Sequence, residues 1–206
     1  MGALANEKVG EYVNENFVAS YMKIGTFTVT ANGQKQGGNV ASYFCLGDGS
    51  VLHAIAGPVK ADEFLREARW VNETRKLAMF EAKGNMDKYK QFFRQAHADR
   101  MLNEYGVQPM KGSRTLAYAK KAAVPAAAPA AAVHHDAFPD PNDQMAMARV
   151  QMLLLQQGRH RGLDNRAQIH VLLAHYPLVK VEQVYKYVFE KILNEKVSTL
   201  PVAQNN

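Results

Sequence analysis

The sequence contains one cysteine, Cys45, among 206 residues. A single thiol cannot form an intramolecular disulfide, and it excludes both CxxC redox chemistry and a cysteine-cluster zinc site. Long apolar runs are also missing, because no stretch reaches the roughly 18 residues that a membrane helix needs. The polar start, Met1 to Gly10, lacks the basic and apolar regions of a signal peptide. We therefore expect a cytoplasmic protein without membrane contact, provided that Met1 is the true start.

Motifs that bind nucleotides or activate a nucleophile are absent as well. The glycines at positions 33, 37 and 38 fit neither GxxxxGK[ST] nor a GxGxxG that follows a strand, so they predict a flexible loop. No GxSxG or HExxH pattern occurs. Cys45 stands between Phe44 and Leu46, where burial raises the pKa of a thiol and favours a structural role. The sequence therefore predicts no catalytic residue and does not indicate an enzyme.

Histidine is the other residue type that could bind a metal. His134, His135 and Asp136 offer ligand atoms, but adjacent residues rarely form a closed site by themselves. His170 and His175 are five positions apart, which is about 500° of helix rotation, so they do not share one helix face. We therefore predict no metal-ligating residue, no cofactor-binding residue and no cofactor.

The formal net charge of +6 is distributed unevenly. Residues 1–84 are neutral, whereas 85–121 carry +5 and 144–206 carry +4. A mild basic excess of this kind is typical of a solvated surface, and aromatic side chains do not clearly interleave with it as a stacking platform requires. Nucleic acid is therefore not an expected partner.

One boundary stands out along the chain. Residues 122–141 are an Ala/Pro tract with four prolines, which break helices and favour extended conformations, so we predict a linker there. It separates a first module over 1–84 and a helical extension over 85–121 from a C-terminal three-helix unit over 142–206.

Periodicity and turn signals predict the elements before this linker. In chain order they are a helix over Lys8–Phe17, an extended segment over Val18–Thr30, a polar loop over Asn32–Asn39, a hairpin of Val40–Leu46 and Val51–Ala56, a helix from about Ala61, and a helix over Met86–Tyr105 that stops at Gly106.

Three helices are predicted after the linker: one that starts near Asn142 or Asp143 and stops at Gly158, a second from Asp164 or Asn165 to before Pro177, and a third over about Val181–Lys196. The last has the clearest apolar stripe at helical spacing. Such a stripe either packs into a core or binds a partner, and we favour the core because three short helices must bury something. For the binding interpretation, the candidate residues are Val181, Val184, Tyr185, Val188 and Ile192.

Three stretches within residues 1–75 follow one another in a characteristic order. Glu7–Val18 is a helix that leads into Asn-Glu-x-Phe-Val, Ser42–His53 is a hairpin with an Asp-Gly turn, and Gly57–Leu65 joins Gly-Pro to a helix start. Their order resembles the C-terminal two-thirds of a thioredoxin-like fold. The resemblance implies an α+β protein: a truncated thioredoxin-like module followed by helices, the linker and a small helical unit.

The redox site of that family has no counterpart here. Its first strand and CxxC would lie before Met1, and Val40 stands where family members usually have a cis-proline. We therefore expect a redox-inactive interaction or scaffold module that binds an unknown protein partner or itself. One alternative is a thiol–disulfide oxidoreductase whose CxxC-bearing N-terminus is missing from this chain. A second is weak nucleic-acid association through the basic helical segments.

Overall fold

A computed structural model describes residues 2–24, 27–29, 35–106, 138–140, 143–148, 150, 152 and 163–197. In chain order the elements are a 3-10 turn (Ala3–Ala5), α1 (Glu7–Asn16), β1 (Phe27–Val29), β2 (Lys35–Gly37), β3 (Ala41–Cys45), β4 (Val51–Ala56), α2 (Ala61–Ala82), α3 (Met86–Tyr105), α4 (144–148), α5 (Asn165–His175), α6 (Val181–Tyr187) and a π turn (Val188–Ile192). This mixture of helices and strands confirms the α+β class.

Local side chains account for several helix boundaries. The side chains of Asn6, Asn85 and Asp164 accept hydrogen bonds from backbone N–H groups in the first turns of α1, α3 and α5. These bonds satisfy donors that a helix start would otherwise leave without partners. At the other end of α3, Gly106 takes the left-handed conformation at a φ of 62°, which glycine adopts without steric cost. The predicted bounds of α3 are confirmed.

The strands form two antiparallel pairs, β1 with β2 and β3 with β4. In the second pair Ala41 lies opposite Ala56, and the register shifts between Phe44 and Cys45. The Asp-Gly turn is as predicted: Gly49 has a φ of 81°, and Asp48 accepts a hydrogen bond from the backbone of Ser50. The strand β2 lies inside the segment predicted as a polar loop, because three residues are too few to show an alternating pattern.

Two apolar clusters lie on the β3–β4 hairpin. The first contains Leu52 and Ile55 of β4 with the apolar residues of α1 and α2 and the first half of α3. The second contains Val51, Ala54 and Ala56 with the apolar residues of α5, α6 and the π turn. Since β4 contributes to both, it is buried along its whole length.

The described C-terminal helices pack on the hairpin. Val51 donates a backbone hydrogen bond to Val179, and Lys180 forms an isolated bridge with Ser50. Phe138 is buried in the same cluster. These contacts cross the predicted domain boundaries. The division of the chain into separate domains stays a prediction. Most of the Ala/Pro tract lies outside the described residues, as do His134, His135 and Asp136.

The last helical segment is shorter than predicted. It turns from α-helix into a π turn at Val188, where Leu193 N–H donates to Val188 O, and it ends at Ile192 rather than at Lys196. Asn194 has a φ of 52°, which does not continue a right-handed helix. Among the described helices, none combines the length and the apolar character that a membrane crossing requires.

Candidate metal centre

Three histidines from three separate elements meet in the interior. His53 lies on β4, His97 on α3 and His170 on α5, and each is at most 1% exposed. Every one occupies an apolar position of its element: His53 lies within the fully buried strand Val51–Ala56, and His97 shares its helix face with Phe93 and Met101. The hydrophobic packing of the elements therefore brings the imidazole rings together.

The distances within this histidine cluster are short. The ring centres of His53 and His170 are 5.0 Å apart, as are those of His97 and His170, and His53 and His97 are 5.7 Å apart. One ring nitrogen of each histidine lies within 4.8 Å of the other two. The closest contact joins Nδ1 of His97 to Nδ1 of His170 at 2.8 Å. For all three rings to hold one ion at the usual metal–nitrogen distance of about 2.0–2.1 Å, the hydrogen bond between His97 and His170 would have to give way to coordination.

Hydrogen-bond partners determine the tautomers. Nε2 of His97 lies 2.9 Å from the carbonyl oxygen of Leu52, which can only accept, so His97 carries its hydrogen on Nε2. Its Nδ1 then holds a lone pair and accepts from Nδ1 of His170. Nε2 of His170 is left with a lone pair, and this buried atom has no partner among the described residues.

His53 has a similar free nitrogen. Its Nε2 lies 3.2 Å from Oε2 of Glu67, although the ring is not aligned for a full hydrogen bond. The negative carboxylate favours the hydrogen on Nε2, so Nδ1 holds the lone pair, and Nδ1 has no partner among the described residues either. Two buried imidazole lone pairs are thus available.

Charged residues surround Glu67. Arg100 binds its carboxylate with two hydrogen bonds, at 2.5 and 2.8 Å, and Arg166 lies 3.4 Å away. The same two arginines also bind Glu104, at 2.7 and 2.8 Å. The carboxylate beside His53 is therefore held rigidly, in a geometry that bidentate arginine pairs favour.

Burial keeps the three imidazoles neutral. It is the largest cause that lowers the pKa of each histidine, to about 3 for His97. The positive charges of Arg100 and Arg166 lower the pKa of His53 and His170 further. Burial alone would raise the pKa of Glu67, but its contacts with His53 and Arg100 outweigh burial and lower it to about 2. At neutral pH the cluster offers lone pairs without competition from protons.

Trp70 covers one side of the cluster. Its ring centre lies 5.2 Å from those of His53 and His97 and 5.6 Å from that of His170, and the guanidinium carbon of Arg100 is 4.6 Å from its centroid. On its other side Trp70 lines a surface groove of about 600 Å³ between α2 and α3. Trp70 is half-buried, and it contacts the histidines and lines the groove, whereas none of the three histidines lines it.

None of these three histidines is predicted as a ligand from the sequence, because they lie far apart in the chain and on three different elements. The sequence does contain a signal: His53, His97 and His170 each stand at a position of a strand or helix where the neighbouring residues predict a buried apolar side chain.

The residues predicted to bind a partner lie elsewhere. Val184, Val188 and Ile192 are buried in the second apolar cluster, whereas Val181 and Tyr185 are half-buried. A partner-binding role for this stripe stays a prediction, and the binding surface would have to use Val181 and Tyr185. On α3, Tyr89 and Phe93 are buried in the first cluster and are not exposed for base stacking.

No family model, curated protein or solved structure matches the chain. The centre is therefore interpreted from its own chemistry. Three neutral nitrogen donors suit zinc, copper, iron or nickel. The remaining ring hydrogens of His97 and His53 point to a carbonyl and a carboxylate, which is the usual outer environment of a histidine ligand.

Proposed function

We propose that this chain is a metal-binding protein whose buried His53, His97 and His170 together hold one transition-metal ion. The observation that carries the proposal is the pair of unpartnered lone pairs, on Nδ1 of His53 and Nε2 of His170. A buried polar atom without a partner costs about 1–3 kcal/mol, so two such atoms on neighbouring rings need a physical reason. Coordination supplies one, since it gives each lone pair a partner.

The surroundings support the same proposal. The carbonyl oxygen of Leu52 accepts from Nε2 of His97, which leaves the lone pair of His97 on Nδ1. Glu67 likewise favours the tautomer of His53 whose lone pair is on Nδ1. Such partners fix the ring orientation and increase the basicity of the ligand. The alternative is a purely structural polar cluster, in which the lone pairs on Nδ1 of His53 and Nε2 of His170 would stay without partners among the described residues.

Trp70 makes the proposal easy to test. It is the only tryptophan in the chain, and its ring lies beside all three histidines. Purified protein is treated with a chelator, dialysed against Co²⁺, Zn²⁺ or, under anaerobic conditions, Cu⁺, and its bound metal is measured. We expect one ion per chain for at least one metal, and quenching of the Trp70 fluorescence when Co²⁺ binds.

His170→Gln is the test variant and His175→Gln the matched control, because both lie on α5 but only His170 belongs to the cluster. We expect the first to lose the bound ion and the second to keep it, with circular dichroism confirming that both fold. Less than a stoichiometric amount of every ion in the wild type, or equal binding by a folded His170→Gln variant, would refute the metal centre.

The sequence-based expectation of a redox-inactive thioredoxin-like interaction module remains a second proposal. Cys45, the only thiol, is half-buried, and burial together with the charges of Glu182 and Asp48 raises its pKa to about 11. Because the thiolate is the reactive form, this favours an inert cysteine. The proposal is tested by pull-down with the intact chain. A specific partner that binds the Val181→Asp variant as well as the unchanged chain would exclude the C-terminal stripe as the binding surface.

A further inference from the structure

A cavity of about 320 Å³ lies where α2 turns into α3, and none of the three clustered histidines lines it. Leu46 follows β3, Met79 and Ala82 belong to the last turn of α2, and Met86 begins α3. These four lining side chains are apolar. The volume is at the lower end of the range of about 300–1,000 Å³ that is typical of ligand pockets. The cavity therefore suits the apolar part of a small ligand.

One buried hydroxyl of this cavity has no partner. Tyr89 lies in the first turns of α3, lines the cavity and is only 6% exposed. Its hydroxyl neither donates nor accepts a hydrogen bond among the described residues. Buried polar atoms of folded proteins nearly always have a partner. The hydroxyl therefore indicates that a polar group from outside the chain belongs beside it.

The same cavity has a positive charge in its lining. Arg75 is exposed and forms no ion pair with any described residue. Its charge lowers the pKa of the Tyr89 hydroxyl, against the larger effect of burial, so the guanidinium and the hydroxyl lie near each other. No carboxylate is among the described residues that line the cavity, so nothing in this lining compensates the charge of Arg75.

These groups match a ligand that has an anionic head and an apolar tail. A guanidinium and a phenolic hydroxyl can both donate hydrogen bonds, and an ionised carboxylate accepts them. Such bonds are stronger than those between neutral groups. Met79 and Met86 are 54% and 60% exposed, and methionine is a flexible side chain that adapts to the shape of an apolar chain.

Independently of the metal centre, we propose that this cavity binds a fatty acid of medium chain length. Its carboxylate accepts hydrogen bonds from Arg75 and Tyr89, and its chain packs against Leu46, Met79 and Met86. Binding is reversible and involves no chemical step. The competing explanation is a cavity that holds only water, which would need neither the charge of Arg75 nor an apolar lining.

The experiment is a calorimetric titration of the intact chain at neutral pH, with octanoate as the anionic probe and 1-octanol as its uncharged counterpart. We expect one octanoate per chain with a dissociation constant below about 1 mM, which a ligand of this size reaches with ordinary efficiency. Octanol, which lacks the charge, should bind at least about 10-fold more weakly. Failure of octanoate to bind at one per chain, or equal affinities for the two probes, would overturn the proposal.

Arg75→Gln tests the head group, and Lys76→Gln is the matched control. Both variants remove one exposed positive charge from α2, but only Arg75 lines the cavity. We expect Arg75→Gln to weaken octanoate binding at least about 10-fold and to leave octanol binding unchanged. Lys76→Gln should change octanoate binding less than about 2-fold, because solvent and salt screen a charge outside the cavity. Equal weakening by the two variants would refute the contact with Arg75.

Tyr89→Phe tests the hydroxyl, since it removes that group and keeps the ring. We expect octanoate to bind about 10-fold more weakly. Without ligand, the variant should be at least as stable to urea as the unchanged chain, because the hydroxyl has no partner to lose. Undiminished octanoate binding would refute the role of Tyr89. A loss of stability would show that the hydroxyl is satisfied without a ligand, which would also overturn the proposal.

Discussion

Acid should destabilise the metal-free protein well before carboxylates become protonated. The folded chain buries His53, His97 and His170 as neutral rings, and burial lowers the pKa of His97 to about 3. In the unfolded chain a histidine has a pKa of about 6.5. Below that pH the unfolded chain binds protons that the folded chain cannot bind, so the free energy of unfolding falls as the pH falls from 6.5 toward 3.

The expected loss is large. At pH 5.5 each histidine that must stay neutral costs about 1.4 kcal/mol, and three cost about 4 kcal/mol. The whole stability of a domain is typically about 5–15 kcal/mol. Burial also lowers the pKa of half-buried His175, which adds to the loss. The pKa of Glu67 is lowered to about 2, so its stabilising contribution is lost only as the pH falls from about 4.5, the ordinary value in the unfolded chain, toward 2.

The measurement is urea unfolding, followed by circular dichroism in the presence of a chelator at pH 8, 7, 6 and 5.5. The free energy of unfolding should be nearly constant above pH 7 and fall steeply below 6.5. In His170→Gln one of the three rings no longer titrates, so the loss between pH 8 and 5.5 should shrink by about a third. A stability that does not change over this range, or an equal loss in the variant, would refute the assignment of buried neutral rings.

Four further outcomes are expected. Metal at 100 times its dissociation constant should raise the free energy of unfolding by about 2.7 kcal/mol, as urea unfolding would show, and no rise would place the ion outside the folded centre. Glu67→Gln removes the buried carboxylate that accepts two hydrogen bonds from Arg100 and leaves Arg100 paired with Glu104, so it should cost roughly 1.5–3 kcal/mol in the same assay, and an unchanged midpoint would refute this pairing. Val188→Asp buries a carboxylate and should abolish folding, whereas Val181→Asp at a half-buried position should fold, as circular dichroism would show. Cys45 should react more slowly with iodoacetamide at pH 8 in the folded protein than in urea, because its folded pKa is about 11.

Local signals made much of the secondary structure predictable. The strand Val51–Ala56 and the helix Met86–Tyr105 were predicted with the bounds that the structure has. Their limits depend on residues a few positions away, such as the N-cap Asn85 and the stop at Gly106. The strand β2 and the π turn at Val188 were not predicted, because neither has a local pattern that distinguishes it from a loop or an α-helix.

The histidine cluster depends on information that periodicity does not contain. Seventy-three residues separate His97 from His170, and only the packing of α5 against α3 and β4 brings their rings to 2.8 Å. A sequence pattern can show that each ring is buried, but it cannot show that the buried faces coincide. The same holds for Arg100, whose partner Glu67 lies on another helix.

Folding and metal binding are expected to depend on each other in this protein. Without metal, the centre holds two buried lone pairs without partners, on His53 and His170, and an unsatisfied group of this kind costs about 1–3 kcal/mol. With metal the same nitrogens become ligands, so that cost is removed together with the gain from coordination itself. Because β4, α3 and α5 each supply one ring, an ion can bind all three only when both apolar clusters have formed around them. The binding free energy therefore acts on the whole fold rather than on a single loop.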